Sequence, residues 1–276
     1  MNIKNILVPV DFSECSKNAL RFAIDLAKKF DAKIHMVNAV HVHTAHPDLV
    51  GGGLIQTVVK DYEEQVKASF EKLEQEVIEL KDVPHSADRF LAYLIDAIHT
   101  EAETKNIDLI VMGTRAEHDK VEHLLGTHTS DVIESANVPV LVVPEQWSGT
   151  IEKIGFAFES VEIKNLFRLG MLNNIAARFE CKVLGFSVHK PGTKITVAEQ
   201  KVFKEIVSCF DDSVASVRSI EAESPIEGIL SFTKEANIDM LALIPKKKSF
   251  FQRIFQTSVS KNIVLEINIP LLSFRE

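Results

Sequence analysis

The loop between Gly113 and Ser130 holds the groups in this chain that are best suited to chemistry. Gly113 ends an apolar run, and Gly126 and Thr127 stand at the start of an amphipathic segment. Exposed backbone N–H groups beside a helix N-terminus attract anions, because both carry partial positive charge. Since Thr127, Thr129 and Ser130 add hydroxyl donors, the loop predicts an anion-binding site.

A short histidine cluster offers a second kind of chemistry. His41, His43 and His46 follow another apolar run, and neutral imidazoles are good zinc ligands. Their spacing is irregular, and the three cysteines of the chain are too far apart to indicate a cysteine-based metal site or a disulfide framework. We therefore favour ordinary loop histidines, with zinc as the less favoured alternative.

The sequence lacks the common catalytic motifs. The sequence contains no G-x-S-x-G nucleophile turn, no H-E-x-x-H zinc motif and no G-x-x-x-x-G-K-[ST] phosphate loop. No side chain stands out as a committed general base. We predict that the protein is not an enzyme, although slow hydrolysis of a bound nucleotide stays open.

Alternating strand and helix patterns must position these groups. The first half reads as βαβαβαβαβ, which predicts a five-stranded parallel sheet with helices on both faces. Ser13 is an expected N-cap, and a glycine run at 51–53 predicts a loop before a long helix at about residues 57–81. The expected strands of the first half include Ile3–Val10, Lys33–Val40, Ile107–Met112 and Val138–Val143.

Ligands of such sheets bind at the carboxyl ends of the strands, where the strand order reverses. This rule brings the segments that end in Asp11 and His41 to the same edge as the loop after Gly113. Pro9 and Val40 belong to those segments. Asp11 has an alternative purpose, because an Asp-Phe-Ser sequence at a strand end can cap the following helix.

The whole pattern occurs twice. Asn106-Ile107-Asp108 and Asn237-Ile238-Asp239 align at an offset of 131 residues, and this offset holds to the C-terminus. Ser224 and Pro225 predict a helix start in the second half. We therefore predict an α/β protein with two tandem doubly wound domains, at residues 1–146 and 150–276.

Charge and hydropathy exclude two classes of partner. The net charge is −8, with 14 basic and 24 acidic residues in 1–147 against 17 and 15 in 148–276. No broad basic excess indicates nucleic-acid binding, and no apolar stretch is long enough to cross a membrane. The N-terminus has no secretion signal, so a cytoplasmic location is expected.

Several of these segments resemble the universal stress protein family over essentially the whole chain, as two copies. The family pattern G-x2-G-x9-G-[ST] is similar to Gly113-Thr-Arg-Ala116, nine residues, then Gly126-Thr127. The opening ILVPVDFSE, which contains Asp11, and the strand PVLVV at 139–143 resemble the family as well.

The resemblance implies an adenine nucleotide, such as ATP with Mg²⁺. Asp11 would bind the base or ribose region, and Val40 would line the adenine pocket. Ala116 departs from the family pattern, and the second half has Ile244, Thr257 and Glu159 where the first has Gly113, Gly126 and Asp11. We therefore expect binding in the first half, by residues that comprise Pro9, Asp11, Val40, Gly113, Thr114, Ala116, Gly126, Thr127 and Thr129.

Family members associate through the last strand of each sheet. The resemblance thus implies that PVLVVP and PLLSFRE face each other inside one chain as a pseudo-dimer, and pairing of two chains stays open. Three functions remain: a cytosolic nucleotide-binding sensor or regulator of the stress response, an interaction scaffold that binds a protein partner without nucleotide, and, less favoured, a zinc protein that uses the loop histidines.

Overall fold

A computed structural model describes residues 2–41, 52–115, 127–158, 169–210, 214–243 and 268–274. Among these residues, no helix combines the length and apolar character that crossing a bilayer requires. The strands are β1 Asn5–Pro9, β2 Lys33–Ala39, β3 His85–Phe90, β4 Leu109–Thr114, β5 Val140–Pro144, β6 Lys153–Ala157, β7 Lys182–His189, β8 Val214–Glu221, β9 Met240–Leu243 and β10 Leu271–Ser273. The α-helices are α1 Glu14–Phe30, α2 Gly52–Glu76, α3 Leu94–Thr104, α4 Thr127–Ser135, α5 Leu169–Phe179, α6 Val197–Ser208 and α7 Pro225–Glu235, with a 3-10 helix at Ile78–Asp82.

The strands form one ten-stranded sheet in the order β3-β2-β1-β4-β5-β10-β9-β6-β7-β8. Pairing is parallel within each group of five and antiparallel only between β5 and β10 among the described strands. Alternate residues of β1 point into different cores: Ile6 and Val8 pack with α1 and α2, and Leu7 packs with α3 and α4. The predicted fold class is confirmed.

The sheet joins its two halves around a pseudo-two-fold axis. Leu141 pairs with Leu272, and these residues occupy equivalent positions at the 131-residue offset. Their neighbours exchange places, because Val140 pairs with Ser273 and Val142 pairs with Leu271. The predicted contact between the last strands is therefore confirmed, and its two sides use the same surface, as in an isologous dimer.

Helices α1 and α5 repeat this symmetry beside the sheet. The Lys29 Nζ lies 4.7 Å from the ring centroid of Phe179, and the Arg178 Cζ lies 5.7 Å from that of Phe30. Lys29 and Arg178 are equivalent in the repeat, as are the two phenylalanines. Each half thus places a cation over an aromatic ring of the other, a favourable electrostatic contact.

The repeated Asn-Ile-Asp motif anchors each sheet. Asn106 and Asn237 have φ values of 51° and 50°, in the left-handed region that asparagine tolerates. One Asp108 carboxylate oxygen accepts hydrogen bonds from the backbone N–H groups of Lys4 and Asn5, at 2.7 and 2.9 Å. Asp239 does the same for residues 152 and 153. The motif therefore fixes the starts of β1 and β6 by hydrogen bonds and has a structural role.

Two helix starts are as predicted, and one is not. Ser13 and Ser224 accept hydrogen bonds from backbone N–H groups in the first turns of α1 and α7. The prediction of a loop at 51–53 was wrong at residues 52 and 53, because α2 begins at Gly52 and ends at Glu76, and residue 51 lies outside the described residues. Helix propagation costs less than nucleation, so a helix packed through residues such as Phe70 can extend across glycines at about 1 kcal/mol each.

Helix α3 buries a carboxyl group on the face of the sheet opposite α1. Glu101 is 3% exposed, and its Oε2 has no hydrogen-bond partner among the described residues. Burial, followed by the nearby Asp88 carboxylate, raises the pKa of Glu101, and Lys105 offsets only part of this effect. Protonation of Glu101 is therefore more favourable in the folded protein than in the unfolded chain.

This burial predicts a pH-dependent stability. The contribution of Glu101 to the free energy of unfolding is complete below the ordinary glutamate pKa. It is lost as the pH rises through the raised pKa of the folded state. We expect Glu101→Gln to be more stable than the parent by about 1–3 kcal/mol at about pH 8, with the difference vanishing near about pH 4. Urea unfolding across this range measures it, with the exposed Glu103→Gln as control. A difference that does not vary with pH would contradict the prediction.

Candidate functional site

The carboxyl ends of β1, β2, β4 and β5 form one edge of the first half of the sheet. Strand β1 lies between β2 and β4, so the strand order reverses between β1 and β4. Asp11 follows β1, and Gly113 lies near the end of β4. The topology therefore brings the predicted groups of these two segments to the crevice where ligands of doubly wound sheets bind.

Asp11 organises a tight turn between β1 and α1. Its Oδ1 accepts hydrogen bonds from the Ser13 backbone N–H at 3.0 Å and from the Ser13 hydroxyl at 2.6 Å. Ser13 Oγ in turn accepts from the Ser16 N–H at 3.2 Å and caps α1. Phe12 takes the left-handed conformation between them, with φ of 65°, and packs edge-on against Phe70. The structure thus shows the alternative role of Asp11, which is to organise the start of α1.

The charge of Asp11 is stabilised by this turn. Partial burial raises the pKa of the Asp11 carboxyl, but hydrogen bonds from Ser13 and Ser16 outweigh it and hold the pKa below its ordinary value. The side chain is still exposed to solvent. An ionised hydrogen-bond acceptor therefore stands at the edge of the sheet at neutral pH.

Gly113 is required by the approach of α1 to β4. A Cβ atom at this position would lie 2.5 Å from the Cys15 carbonyl oxygen and 2.6 Å from its Sγ. The packing of the two elements thus explains this glycine without any ligand. Burial, with the Glu145 and Asp11 carboxylates, raises the pKa of the Cys15 thiol to about 11, so the thiol is protonated at physiological pH.

The start of α4 is tied to the same strand. Thr129 is buried, and its hydroxyl donates to the Gly113 carbonyl at 3.4 Å, a weak hydrogen bond. Thr127 is the first residue of α4, and Thr114 closes β4. Ala116 and Gly126 of the predicted phosphate loop lie outside the described residues.

A charged pair at this edge was not predicted from the sequence. The Arg115 guanidinium binds both carboxylate oxygens of Glu145, at 2.9 and 3.1 Å. These residues directly follow β4 and β5, which are neighbours, so strand adjacency was the signal that could have found them. The Glu145 hydrogen bond, and then its charge, raises the pKa of Arg115, and the Asp11 carboxylate contributes in the same direction. Arg115 thus belongs to the same charge network as Asp11.

Beside β1, a polar network holds α2 against the edge. The buried Asn38 donates to the Val10 carbonyl at 2.8 Å, and the Tyr62 hydroxyl of α2 donates to Asn38 Oδ1 at 3.0 Å. Pro9 is paired with Val37 inside the sheet, whereas Val40 is 40% exposed. Of the predicted pocket residues on this side, Val40 therefore presents apolar surface at this edge.

The histidine cluster is only partly described. The His41 ring stacks on the Tyr93 ring, with centroids 3.8 Å apart and planes 13° apart, and His43 and His46 lie outside the described residues. No group of three or more His, Cys, Asp or Glu side chains in the described part of the chain is placed to hold a metal ion. The zinc hypothesis stays a prediction.

The second half has a different edge at the equivalent place. Ser187 and His189 of β7 replace Asn38 and Val40, and Ser187 Oγ lies 2.9 Å from His189 Nε2. His189 Nδ1 lies 3.8 Å from an oxygen of Glu199 on α6. His189 therefore places a polar and largely buried side chain where the first half has the exposed apolar Val40. Glu159, Ile244 and Thr257 lie outside the described residues.

Comparisons with known proteins agree with this architecture. A model described as "Universal stress protein family" matches residues 2–144. A universal stress protein of Methanocaldococcus jannaschii is 32% identical over 142 residues, which cover 51% of this chain and 81% of that protein. Universal stress protein G of Escherichia coli O157:H7 is 31% identical over 144 residues, which cover 51% of this chain and 98% of that one.

A solved structure extends the likeness to the second half. The crystal structure of a universal stress protein from Archaeoglobus fulgidus superposes with a TM-score of 0.72 at 15% identity and covers 98% of both chains. At this identity the likeness shows the fold alone. This likeness supports a two-domain architecture for both chains over the 98% that the match covers.

Proposed function

Because this chain belongs to the universal stress protein family, we propose that its first half binds an adenine nucleotide, ATP with Mg²⁺ being the first to test. Binding would make the protein a cytoplasmic sensor or regulator of the stress response that acts through a protein partner. The proposal includes no catalytic step, and slow hydrolysis would be incidental.

The reversal of strand order between β1 and β4 carries this proposal. An ionised Asp11, exposed apolar surface at Val40 and the first turn of α4 surround this crevice. A nucleotide needs the same three things: an acceptor for base or ribose donors, apolar surface for the base, and N–H donors for phosphates. The arrangement suits a nucleotide better than a small apolar ligand.

Titration with Mg-ATP tests the proposal, and Asp11 provides the decisive variant. We expect saturable binding to the parent and a loss of about tenfold or more in Asp11→Ala, since hydrogen bonds to charged groups contribute about 1.5–3 kcal/mol. Isothermal titration calorimetry measures both affinities. Native mass spectrometry of the fresh protein shows any adenine nucleotide that co-purifies.

Ser13→Ala is the matched control, because it removes the cap of α1 and the hydroxyl hydrogen bond to Asp11 but keeps the Asp11 carboxylate and its hydrogen bond from the Ser13 backbone N–H. It should cost about 1 kcal/mol of stability and leave ATP affinity within about twofold. An equal loss of affinity in both variants would mean that Asp11 acts through the helix start. No binding to the parent at millimolar ATP would refute the proposal.

The interaction scaffold remains a second candidate on a specific observation. Gly113, Thr129 and Arg115 each have a protein contact, with Cys15, the Gly113 carbonyl and Glu145 respectively, that gives them a purpose without nucleotide. A protein that fails to bind ATP yet keeps these contacts would fit the scaffold.

A further inference from the structure

Exposed apolar side chains concentrate at one part of the same edge. Among the described residues, three of the seven exposed large hydrophobic side chains lie in the two segments that follow β2 and β3. These are Val40, Leu91 and Tyr93, with Tyr93 56% exposed. Together with His41 we call them the edge platform. Exposed apolar surface at a binding edge indicates a ligand or partner.

The backbone fixes the shape of the edge platform. The Val40 N–H donates to the Phe90 carbonyl at 3.0 Å, so the two segments run side by side beyond the strands. The Tyr62 hydroxyl approaches the same carbonyl at 3.3 Å from α2. The His41 and Tyr93 rings then stack with planes only 13° apart. The flat aromatic surface is thus held in place before any ligand arrives.

Flatness decides which ligand fits. Bases stack on aromatic side chains because both have flat π-faces, and a purine offers more stacking area than a pyrimidine. Neighbouring strands lie about 4.8 Å apart, so β2 and β3, whose following segments form the platform, lie roughly 5 and 10 Å from β1, which Asp11 follows. One nucleotide spans these distances with its base on the platform and its ribose and phosphates toward β1 and β4.

We propose that the stacked His41–Tyr93 pair binds the nucleobase, and that Tyr93 is the residue that makes the site prefer a purine. This inference rests on the proposed nucleotide binding and adds the residue that selects the base. Leu91 and Val40 supply the apolar surround. Phenylalanine would serve in place of tyrosine, since stacking uses the ring and not the hydroxyl.

The test compares ATP and UTP on the full-length protein, with UTP measured by competition against ATP. We expect Tyr93→Ala to weaken ATP binding by about fivefold or more, because base stacking contributes at least that much per base. The affinity for UTP should fall less than the affinity for ATP, so the preference of the variant for ATP over UTP decreases. Tyr93→Phe should keep the parent preference. Ile78→Ala, an exposed apolar residue away from this edge, is the control and should change neither affinity.

Each outcome separates this inference from the proposed function. If the parent binds ATP and Tyr93→Ala binds it equally well, stacking on Tyr93 is refuted and nucleotide binding stands. Equal weakening of ATP and UTP would also refute it, because Tyr93 would then support the edge without reading the base. If the parent binds no nucleotide, both proposals fall. A dimer that Tyr93→Ala dissociates without a change in ATP affinity would make the platform an interface between two copies.

Discussion

Replacing Leu272 with alanine is expected to lower the free energy of unfolding by about 2–5 kcal/mol, the range for large-to-small changes in a core. Leu272 is fully buried in β10 and pairs with Leu141 of β5 at the pseudo-two-fold axis. A cavity there weakens the only described strand pairing that joins the two halves. Urea unfolding measures the effect.

Leu141→Ala should cost a similar amount, because the axis makes the two positions equivalent. Since the residues pair directly, the double variant should depart from additivity by about 0.5–3 kcal/mol. Val207→Ala, on the exposed side of α6, should change stability by less than about 0.5 kcal/mol. If Leu272→Ala and Leu141→Ala lowered stability as little as Val207→Ala does, the stability of the protein would not depend on this strand pair.

Gly113→Ala is expected to destabilise the protein by about 1–3 kcal/mol or more, because the added methyl group overpacks the contact between α1 and β4. The Cβ would meet the Cys15 backbone oxygen at 2.5 Å, and backbone moves less readily than a side chain. Adding Cys15→Ala removes the thiol but not this oxygen, so it should not restore stability. Urea unfolding of the two single variants and the double variant measures this.

Gly149→Ala is the matched control for this prediction. Its Cβ would have the Trp147 ring as nearest neighbour at 3.6 Å, an ordinary contact, so little change in stability is expected. If adding Cys15→Ala restored the full stability of Gly113→Ala, the clash would be with the thiol and not with the backbone oxygen. If Gly113→Ala keeps its stability but loses ATP affinity, the glycine serves the ligand and not the helix contact.

The candidate site shows where sequence-based prediction succeeds. The topological rule brought Asp11, Val40 and Gly113 to one edge, because strand order follows from the alternation of strands and helices. It missed Arg115 with Glu145, and Asn38 with Tyr62, because each pair joins elements far apart in sequence. Only the register of those elements brings such side chains within hydrogen-bond distance.

The sequence by itself determined the order of strands and helices, the caps at Ser13 and Ser224 and the equivalence of the motifs that contain Asp108 and Asp239. These features follow from apolar periodicity and from side chains that bind backbone groups at fixed positions of a repeat. The tertiary structure alone decided that α1 presses Cys15 against Gly113, that the axis falls on Leu141 and Leu272, and that His41 stacks on Tyr93. The physical reason is that these contacts depend on strand register and helix approach, which the close packing of the whole core sets.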